Sequence, residues 1–148
     1  MSDLYKALTS AIYVSKQQLA GKAIETDDQK IRASGLYDDW AEGKHTKGEI
    51  CNAEEQTWEC YADYDNAVYP DIRPGSSAWF TFNRPLHGTS RETARPWVKP
   101  THSMDIYRKG EWMVWTDEWL YECIAENGTN FSPEEYPGGW RRADLMDM

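Results

Sequence analysis

The sequence has few of the features that define membrane, secreted or nucleic-acid-binding proteins. Its 148 residues contain no run of about 18 apolar residues, so no transmembrane helix is expected. The N-terminus lacks the basic, apolar and small-residue regions of a signal peptide, which predicts synthesis in a cytoplasm. The 16 basic residues are scattered among 25 acidic ones, for a net charge of -9. Because binding of a phosphate backbone needs a basic surface, we expect no nucleic-acid partner and no membrane partner.

Motifs of catalysis and metal binding are missing as well. His45, His87 and His102 stand alone, without an HExxH or Cys-x-x-Cys pattern, and no Ser or Cys lies in a nucleophile elbow. The carboxylates could supply a glycosidase pair, but a module this small rarely encloses a cleft around a scissile bond. We therefore expect no enzymatic activity, no metal and no cofactor.

Only three cysteines are present, and an odd number argues against a disulfide framework. Cys51 and Cys60 could face each other across a hairpin and pair. A reducing compartment favours the alternative, in which these two and Cys123 are buried free thiols.

Aromatic residues are abundant, at 14% of the chain, while Leu, Ile and Val are sparse. Rings must therefore fill much of the core, which is typical of small β-rich folds. The first 36 residues differ from the rest, because they predict an amphipathic helix from about residue 3 to Gly21. A capping box of Thr26 and Gln29 predicts a second helix that ends at Gly35. The apolar stripe of the first helix comprises Leu4, Leu8, Ile12, Ser15 and Leu19, with Ala7 and Ala11 beside them.

That first helix is too short and polar to be stable alone. It must dock within the protein, or else mediate oligomerisation or attachment to a partner, and the sequence leaves both alternatives open. A homo-oligomer is one expected state.

From residue 37 onward the chain repeats itself. Segment 45 to 79 aligns with segment 107 to 140, at an offset of 62 for the Lys-Gly-Glu motif and 63 from Glu59 to Gly75. A tryptophan precedes each copy, Trp40 or Trp97, and another closes it, Trp79 or Trp140. The matching residues are Lys47-Gly48-Glu49 with Lys109-Gly110-Glu111, Glu59-Cys60 with Glu122-Cys123, Pro70 with Pro133, and Pro74-Gly75 with Pro137-Gly138.

The repeat predicts a mainly β protein with two small tandem β modules of two to three short strands each, preceded by an N-terminal α-helical segment. The expected boundaries are 1–36 for the helical segment, 37–83 for the first module, 84–96 for a polar linker, 97–143 for the second module and 144–148 for a tail.

The order of motifs in each copy resembles the small chitin- or cellulose-binding modules of carbohydrate-binding families 5 and 12. The shared elements are a Trp, Tyr-x-x-Gly-Glu, a hairpin with an aromatic and a Cys, Pro-x-x-x-Pro-Gly and a closing Trp. Segment 97 to 140 is similar to the C-terminal module of bacteriophage tail and virion proteins that carry such domains. The resemblance covers about residues 26 to 143. The first module departs from it at His45, where the family has Tyr, as at Tyr107.

The resemblance implies a compact β fold and a non-enzymatic role in sugar binding or virion structure. It also implies that Trp97, Tyr107 and Trp140 frame a ligand face, although the counterparts Trp40 and Trp79 argue that two of the three are structural. Asp105 and Asn127 lie in the same loops, where they could bind sugar hydroxyls, and Asn127-Gly128 could instead simply form a turn.

Comparison of the two copies predicts which aromatic rings of the second hairpin belong to the core and which are exposed. Trp112 and Tyr121 have apolar counterparts, Ile50 and Trp58, which predicts that they belong to the core. Trp115 and Trp119 have small or polar counterparts, which predicts exposure. These two rings either stack on a sugar or pack against another part of the protein or assembly. The carbohydrate-binding candidates are therefore Trp97, Asp105, Tyr107, Trp115, Trp119, Asn127 and Trp140.

We thus expect a phage virion protein, of the tail or another exposed surface, that binds host cell-surface polysaccharide and contacts other virion proteins. The alternative is a purely structural decoration or adaptor protein whose aromatic faces are protein interfaces. A less favoured alternative is the binding part of a secreted polysaccharide-degrading enzyme.

Overall fold

The computed structural model describes residues 3 to 143 and divides into two compact units, Met1–Leu86 and His87–Met148. The predicted tail, 144 to 148, lies outside the described residues. The fold is mainly β, with an N-terminal helix followed by several small sheets, as predicted. Within residues 3 to 143, no helix combines the length and the apolar character that crossing a bilayer requires.

The two predicted helices are present at the N-terminus of the first unit. Helix α1 spans Asp3–Leu19, and Gly21, at φ +69°, ends it in a left-handed conformation with N–H bonds from Gly21 to Gln18 and from Lys22 to Gln17. Helix α2 spans Asp27–Arg32, and the predicted capping box of Thr26 and Gln29 forms. A 3₁₀ turn, Ser34–Leu36, follows α2.

Helix α1 docks on the 3₁₀ turn through the side that carries Ser10, and the predicted apolar stripe is not the docked face. Ser10 is buried, donates its hydroxyl to the Arg32 carbonyl at 2.9 Å, and accepts the Gly35 N–H at 2.9 Å. A Cβ at Gly35 would clash with the Lys6 carbonyl group, so only glycine allows this approach. The stripe residues Leu4, Leu8, Ile12 and Leu19 are instead exposed.

The first unit contains two small sheets. The strands are β1 (Lys44–His45), β2 (Ile50–Ala53), β3 (Gln56–Cys60), β4 (Tyr64–Asp65) and β5 (Asn83–Pro85). Strands β1 and β4 pair, and β3 lies between β2 and β5, all antiparallel. Its core includes Trp58, Cys51, Cys60 and Tyr64.

An ion-pair network ties α2 to the larger sheet of this unit. The Arg84 guanidinium on β5 donates to both carboxylate oxygens of Asp27, at 3.0 and 2.7 Å, and to Glu59 on β3 at 3.0 Å. Lys30 binds the other Glu59 oxygen at 2.8 Å. The four side chains are about one fifth exposed, so water screens them only partly. Helix α2 is therefore an integral part of the first unit.

The second unit is built on a four-stranded sheet in the order β6, β7, β8, β9. The strands are β6 (Arg95–Pro96), β7 (Trp112–Val114), β8 (Leu120–Cys123) and β9 (Trp140–Ala143), and only the β6–β7 pair is parallel. A 3₁₀ turn, Pro137–Gly139, leads into β9. The core cluster consists of Tyr107, Met113, Cys123, Ala125 and Trp140.

Segment 84 to 96, predicted to be a polar linker, contributes to both units. It includes most of β5, all of β6, and the buried residues Leu86 and His87. Most of this polar segment is therefore buried or partly buried.

The tryptophans that close the two copies lie in different places. Trp140 is opposite Cys123 in the sheet, whereas the residue opposite Cys60 is Asn83. Trp79 lies four residues earlier, in the 3₁₀ turn Trp79–Thr81, and packs on Trp58 with ring centroids 5.4 Å apart.

All three cysteines are buried free thiols, as favoured from the sequence. Burial raises the pKa of the Cys51 thiol to about 12, with Glu49 adding to the effect. The thiols of Cys60 and Cys123 also have pKa values raised by burial. Thiols in such surroundings are poor nucleophiles.

Candidate functional site

Four of the seven candidate residues form one aromatic cluster in the second unit. The rings of Trp97 and Tyr107 are stacked at 5.1 Å, with an interplanar angle of 13°. Trp97 meets Trp115 edge-on at 5.5 Å, and Trp140 meets Tyr107 edge-on at 5.3 Å. Since such geometries are favourable for aromatic pairs, the cluster is a stable base for a surface.

Two rings of this cluster, Tyr107 and Trp140, are buried and have hydrogen-bond partners within the protein. Tyr107 is 1% exposed, and its hydroxyl accepts the Val98 N–H at 3.2 Å. Burial raises the pKa of Tyr107. Trp140 is 5% exposed and donates its indole N–H to the Phe131 carbonyl at 2.9 Å. Tyr107 therefore supports the site from below.

Asp105 and Asn127 lie apart from the accessible rings. Asp105 is 2% exposed, and its carboxylate accepts the N–H groups of Thr101 at 3.2 Å and His102 at 2.8 Å, so it shapes the turn 101 to 105. Asn127 is exposed in the turn that Gly128, at φ +77°, completes. Both residues serve turns in this structure, and for Asn127 a turn was one of the two alternatives left open by the sequence.

An open cavity of about 460 Å³ lies beside the tip of the β7–β8 hairpin. Three aromatic side chains contribute to it, together with two prolines and four polar residues. The lining residues are Trp115, Tyr121, Trp140, Pro133, Pro137, Thr116, Asp117, Glu134 and Arg142. Its volume is within the range of small-ligand sites, and rings with a few polar groups are the usual lining of such sites.

The hairpin tip that forms one wall is fixed by Asp117. Its carboxylate accepts the Trp119 N–H at 2.9 Å and the Tyr121 hydroxyl at 2.8 Å. Burial raises the pKa of Tyr121, and the hydrogen bond to Asp117 raises it further. Trp115 closes the tip through its own N–H, which donates to the Trp119 carbonyl at 3.0 Å. The ring of Trp115 is thereby held at the edge of the cavity.

Arg142 supplies a cation to the same cavity. Its guanidinium lies 4.6 Å from the centre of the Trp119 ring, which is a cation–π distance. Stacking on Trp119 restricts the side chain, which also lines the cavity. Trp119 is therefore a support for Arg142 and does not itself line the cavity.

The predicted division of the rings of this hairpin into core and exposed positions needs correction. Trp115 and Trp119, predicted to be exposed, are partly buried, and Trp115 packs against the core cluster. Met113 is fully buried, whereas Trp112 is only partly buried, between the guanidinium groups of Arg91 and Arg141 at 5.7 Å each. Alternation along β7 explains the difference, because Trp112 and Met113 point to opposite faces. Tyr121 packs against the core cluster, as predicted, but it also lines the cavity.

The first unit repeats the turn geometry that supports this site. Gly48 donates its N–H to Cys60 at 2.8 Å, and Gly110 donates to Cys123 at 2.8 Å. The φ angles of these glycines are +94° and +93°. Trp40 stacks on His45 at 13°, as Trp97 stacks on Tyr107.

Metal binding finds no support in the described part of the chain, residues 3 to 143, which holds no cluster of three or more His, Cys, Asp or Glu side chains arranged to hold an ion. The fold and site thus define a protein of small β units with an aromatic-lined surface cavity. No protein-family model matches the chain, and no curated protein matches it significantly. The resemblance to carbohydrate-binding modules therefore stays a prediction.

Sequence reasoning missed several residues of the cavity, and one pattern could have found Arg142. In β9, Trp140 and Arg142 are two residues apart, so they share a face of the strand. His87 was also missed, because it lies in the segment predicted to be a linker. Its ring stacks on Tyr107 at 3.9 Å and its Nδ1 lies 3.0 Å from Glu111.

Proposed function

We propose that this protein is a non-enzymatic component of a phage virion, and that its second unit binds a glycan of the host cell surface. The observation that carries the glycan proposal is the cavity beside the β7–β8 hairpin, in which rings and polar side chains meet. The location in a virion is supported by the resemblance of segment 97 to 140 alone.

The cavity matches the chemistry of a sugar ring. Trp115 and Tyr121, which are only partly buried, offer ring surfaces against which the C–H faces of a pyranose can stack, each worth about 1 kcal/mol by analogy with other aromatic contacts. Arg142 offers N–H donors and Glu134 a carboxylate acceptor for hydroxyl groups. A single shallow site of this kind binds weakly, and many copies on one particle would raise the overall avidity.

A binding role accounts for the carboxylates of the cavity better than catalysis does. Asp117 already accepts two hydrogen bonds that hold the hairpin tip, which makes it a positioning group. We further propose that the two units are tandem modules of one kind. The matching turns at Gly48 and Gly110, and the matching Trp stacks, support that relationship.

Arg142→Ala, with Arg141→Ala as its control, tests the glycan site. Both arginines are exposed and adjacent on β9, but Arg141 points to the opposite face, where it pairs with Glu122 at 2.7 Å. Binding would be measured on a glycan array and by pull-down on chitin and purified cell walls. We expect Arg142→Ala to weaken binding about tenfold or more, because charge-assisted hydrogen bonds are lost, and Arg141→Ala to leave it unchanged.

Two results would contradict the proposal. Failure of the wild-type protein to bind any glycan would favour the alternative, a structural decoration or adaptor protein. Equal losses in the two variants would show that surface charge, and not the cavity, drives binding. Mass spectrometry of purified particles tests the virion location separately, and absence of the protein from them would exclude it.

A further inference from the structure

Both ring nitrogens of His45, in the first unit, face hydrogen-bond acceptors. Its Nδ1 lies 2.6 Å from the Oε2 of Glu49, and its Nε2 lies 3.1 Å from the Oδ1 of Asn66. A neutral imidazole has one N–H and one lone pair, so it can donate to only one of these two acceptors. The contacts of His45 therefore match the imidazolium form, in which both nitrogens carry a proton.

The neighbours of Asn66 fix which end of its amide meets His45. The Nδ2 donates to the carbonyls of Tyr69 and Ile72, at 3.0 and 2.9 Å, and the Oδ1 accepts the Gly43 N–H at 3.1 Å. Exchange of the amide oxygen and nitrogen would lose all three of these hydrogen bonds. The atom that His45 contacts is therefore an acceptor, and Nε2 is the donor.

The surroundings of His45 compensate for the burial of a positive charge. The residue is 6% exposed, and its ring lies between those of Trp40, at 5.5 Å, and Tyr64, at 4.6 Å. The faces of aromatic rings attract a cation at such distances. Glu49, whose side chain is 37% exposed, supplies the opposite charge.

Tyr64, Cys51 and Cys60 also lie around this pair and are neutral near pH 7. Burial raises the pKa of the Tyr64 phenol and of the two thiols, and Glu49 raises both thiol pKa values further. Glu49 is therefore the charge that His45 meets directly. The charged residues that flank the pair on β1, β4 and the adjoining turns are Glu42, Lys44, Lys47, Asp63 and Asp65.

We propose that His45 is a pH-sensitive switch of the first unit, in which one ring proton binds Glu49, the other binds Asn66, and loss of either loosens the contact between β1 and β4. These strands share two residue pairs, Lys44–Asp65 and His45–Tyr64, so side-chain contacts matter for their attachment. Without the second proton, a lone pair faces an acceptor in a buried site, which costs free energy. The inference concerns the first unit and does not depend on the glycan site of the second.

Long-range proton–nitrogen NMR of the histidine rings in the full chain tests the charge of His45, because protonated and unprotonated imidazole nitrogens have separate nitrogen shifts. At about pH 7.5 we expect two protonated nitrogens for His45. The exposed His102 is the internal control and should show one unprotonated nitrogen. An unprotonated nitrogen at His45 under the same conditions would overturn the proposal, since the ring would then be neutral.

Glu49→Gln tests whether Glu49 holds the second proton, because a glutamine amide can donate to Nδ1 of a neutral ring. In this variant the Nδ1 signal of His45 should move to the unprotonated position at about pH 7.5. Glu111→Gln is the matched control, since Glu111 lies 3.0 Å from the Nδ1 of His87 in the second unit, and it should leave His45 unchanged. Retention of both protons in Glu49→Gln would overturn the proposal.

Denaturant unfolding at about pH 6 and about pH 8.5, followed by the indole signals of Trp40 and Trp58, measures the switch. An unfolded histidine loses its proton at about pH 6.5, so the stability that the proton contributes is fully present in acid and declines above that pH. The midpoint of the wild type should therefore fall relative to that of Glu49→Gln as the pH rises. A constant difference between the two would contradict the switch, and the wild-type NMR result decides the proposal even for a variant that does not fold.

Discussion

The two units build the same three-ring stack from differently placed residues. In the first unit His45 lies between Trp40, at 5.5 Å, and Tyr64, at 4.6 Å. In the second unit Tyr107 lies between Trp97 and His87, so histidine and tyrosine have exchanged places. In both, the histidine Nδ1 contacts the glutamate of the Lys-Gly-Glu turn, at 2.6 Å in the first unit and 3.0 Å in the second.

The two stacks therefore share their three rings and a histidine–glutamate contact, while the positions of the histidine and the tyrosine differ. The central His45 needs hydrogen-bond partners on both nitrogens, and it has Glu49 and Asn66. The central Tyr107 needs one for its hydroxyl, and the Val98 backbone provides it. A His in place of Tyr at the first copy therefore reflects a rearranged core.

The two units also differ at the tips of their hairpins, and the tip of the second unit forms one wall of the cavity. In the first unit two residues, Glu54 and Glu55, make a tight turn with φ values of 54° and 60°, and a Cβ at Gly75 would clash with Glu54. The second unit has a tip of three residues, 116 to 118, which carries Asp117 and is bounded by the hydrogen bond from Trp115 to Trp119. The longer tip creates the wall of the cavity.

Tyr107→Ala should break the stack of the second unit and leave the first intact. Loss of a fully buried aromatic ring costs about 3–5 kcal/mol. Hydrogen exchange resolved by unit would show the loss of protection in residues 87 to 143 alone. Tyr136→Ala is a suitable control, because Tyr136 is 43% exposed and its removal should cost less than about 1 kcal/mol. Equal loss of protection in both units would contradict their independence.

Alkaline pH should lower the free energy of unfolding of both units. In the first unit the effect comes from Cys51. Folding raises the pKa of this thiol from 9.0 to about 12. The stability that the protonated, buried thiol contributes is therefore fully present below pH 9 and is lost as the pH rises to about 12. The effect is of the order of 2–4 kcal/mol. Chemical denaturation of wild type and Cys51→Ala across this range measures it, and the variant should show a shallower decline. Parallel curves for the two proteins would refute this contribution.

Arg84→Ala should destabilise the first unit by about 1–3 kcal/mol, because it leaves Asp27 and Glu59 partly buried without their common cation. The matched control, Arg141→Ala, removes an exposed ion pair in the second unit and should cost under about 1 kcal/mol. Denaturant unfolding gives both values. Equal costs would show that the Arg84 network contributes no more than a surface pair.

Local signals in the sequence were sufficient to predict the helices, their caps and the β-rich character of the rest. The capping box of Thr26 and Gln29 and the helix end at Gly21 depend on neighbouring residues, so the sequence contains the whole interaction. The docked face of α1 could not be predicted in the same way. It depends on Gly35, which is distant in sequence and whose lack of a side chain admits the helix backbone.

The candidate site was predictable only in part for a similar reason. Comparing the copies predicted an exposed Trp115 from its small counterpart, Ala53, but that ring is partly buried against the core cluster. The support of Arg142 by Trp119 joins the hairpin tip to β9. His87 enters the Tyr107 stack from a segment whose polar composition resembles a linker. Contacts of this kind depend on the tertiary arrangement.

We propose that glycan binds to the cavity of the second unit, and the eight tryptophans of the chain allow one direct measurement. NMR titration of the full chain with soluble cell-wall or chitin fragments would follow the indole N–H signals. The account predicts shifts for Trp115 and Trp140, which line the cavity, and none for Trp40, Trp58 and Trp79 of the first unit. Shifts confined to the first unit, or no shift with any glycan, would contradict it.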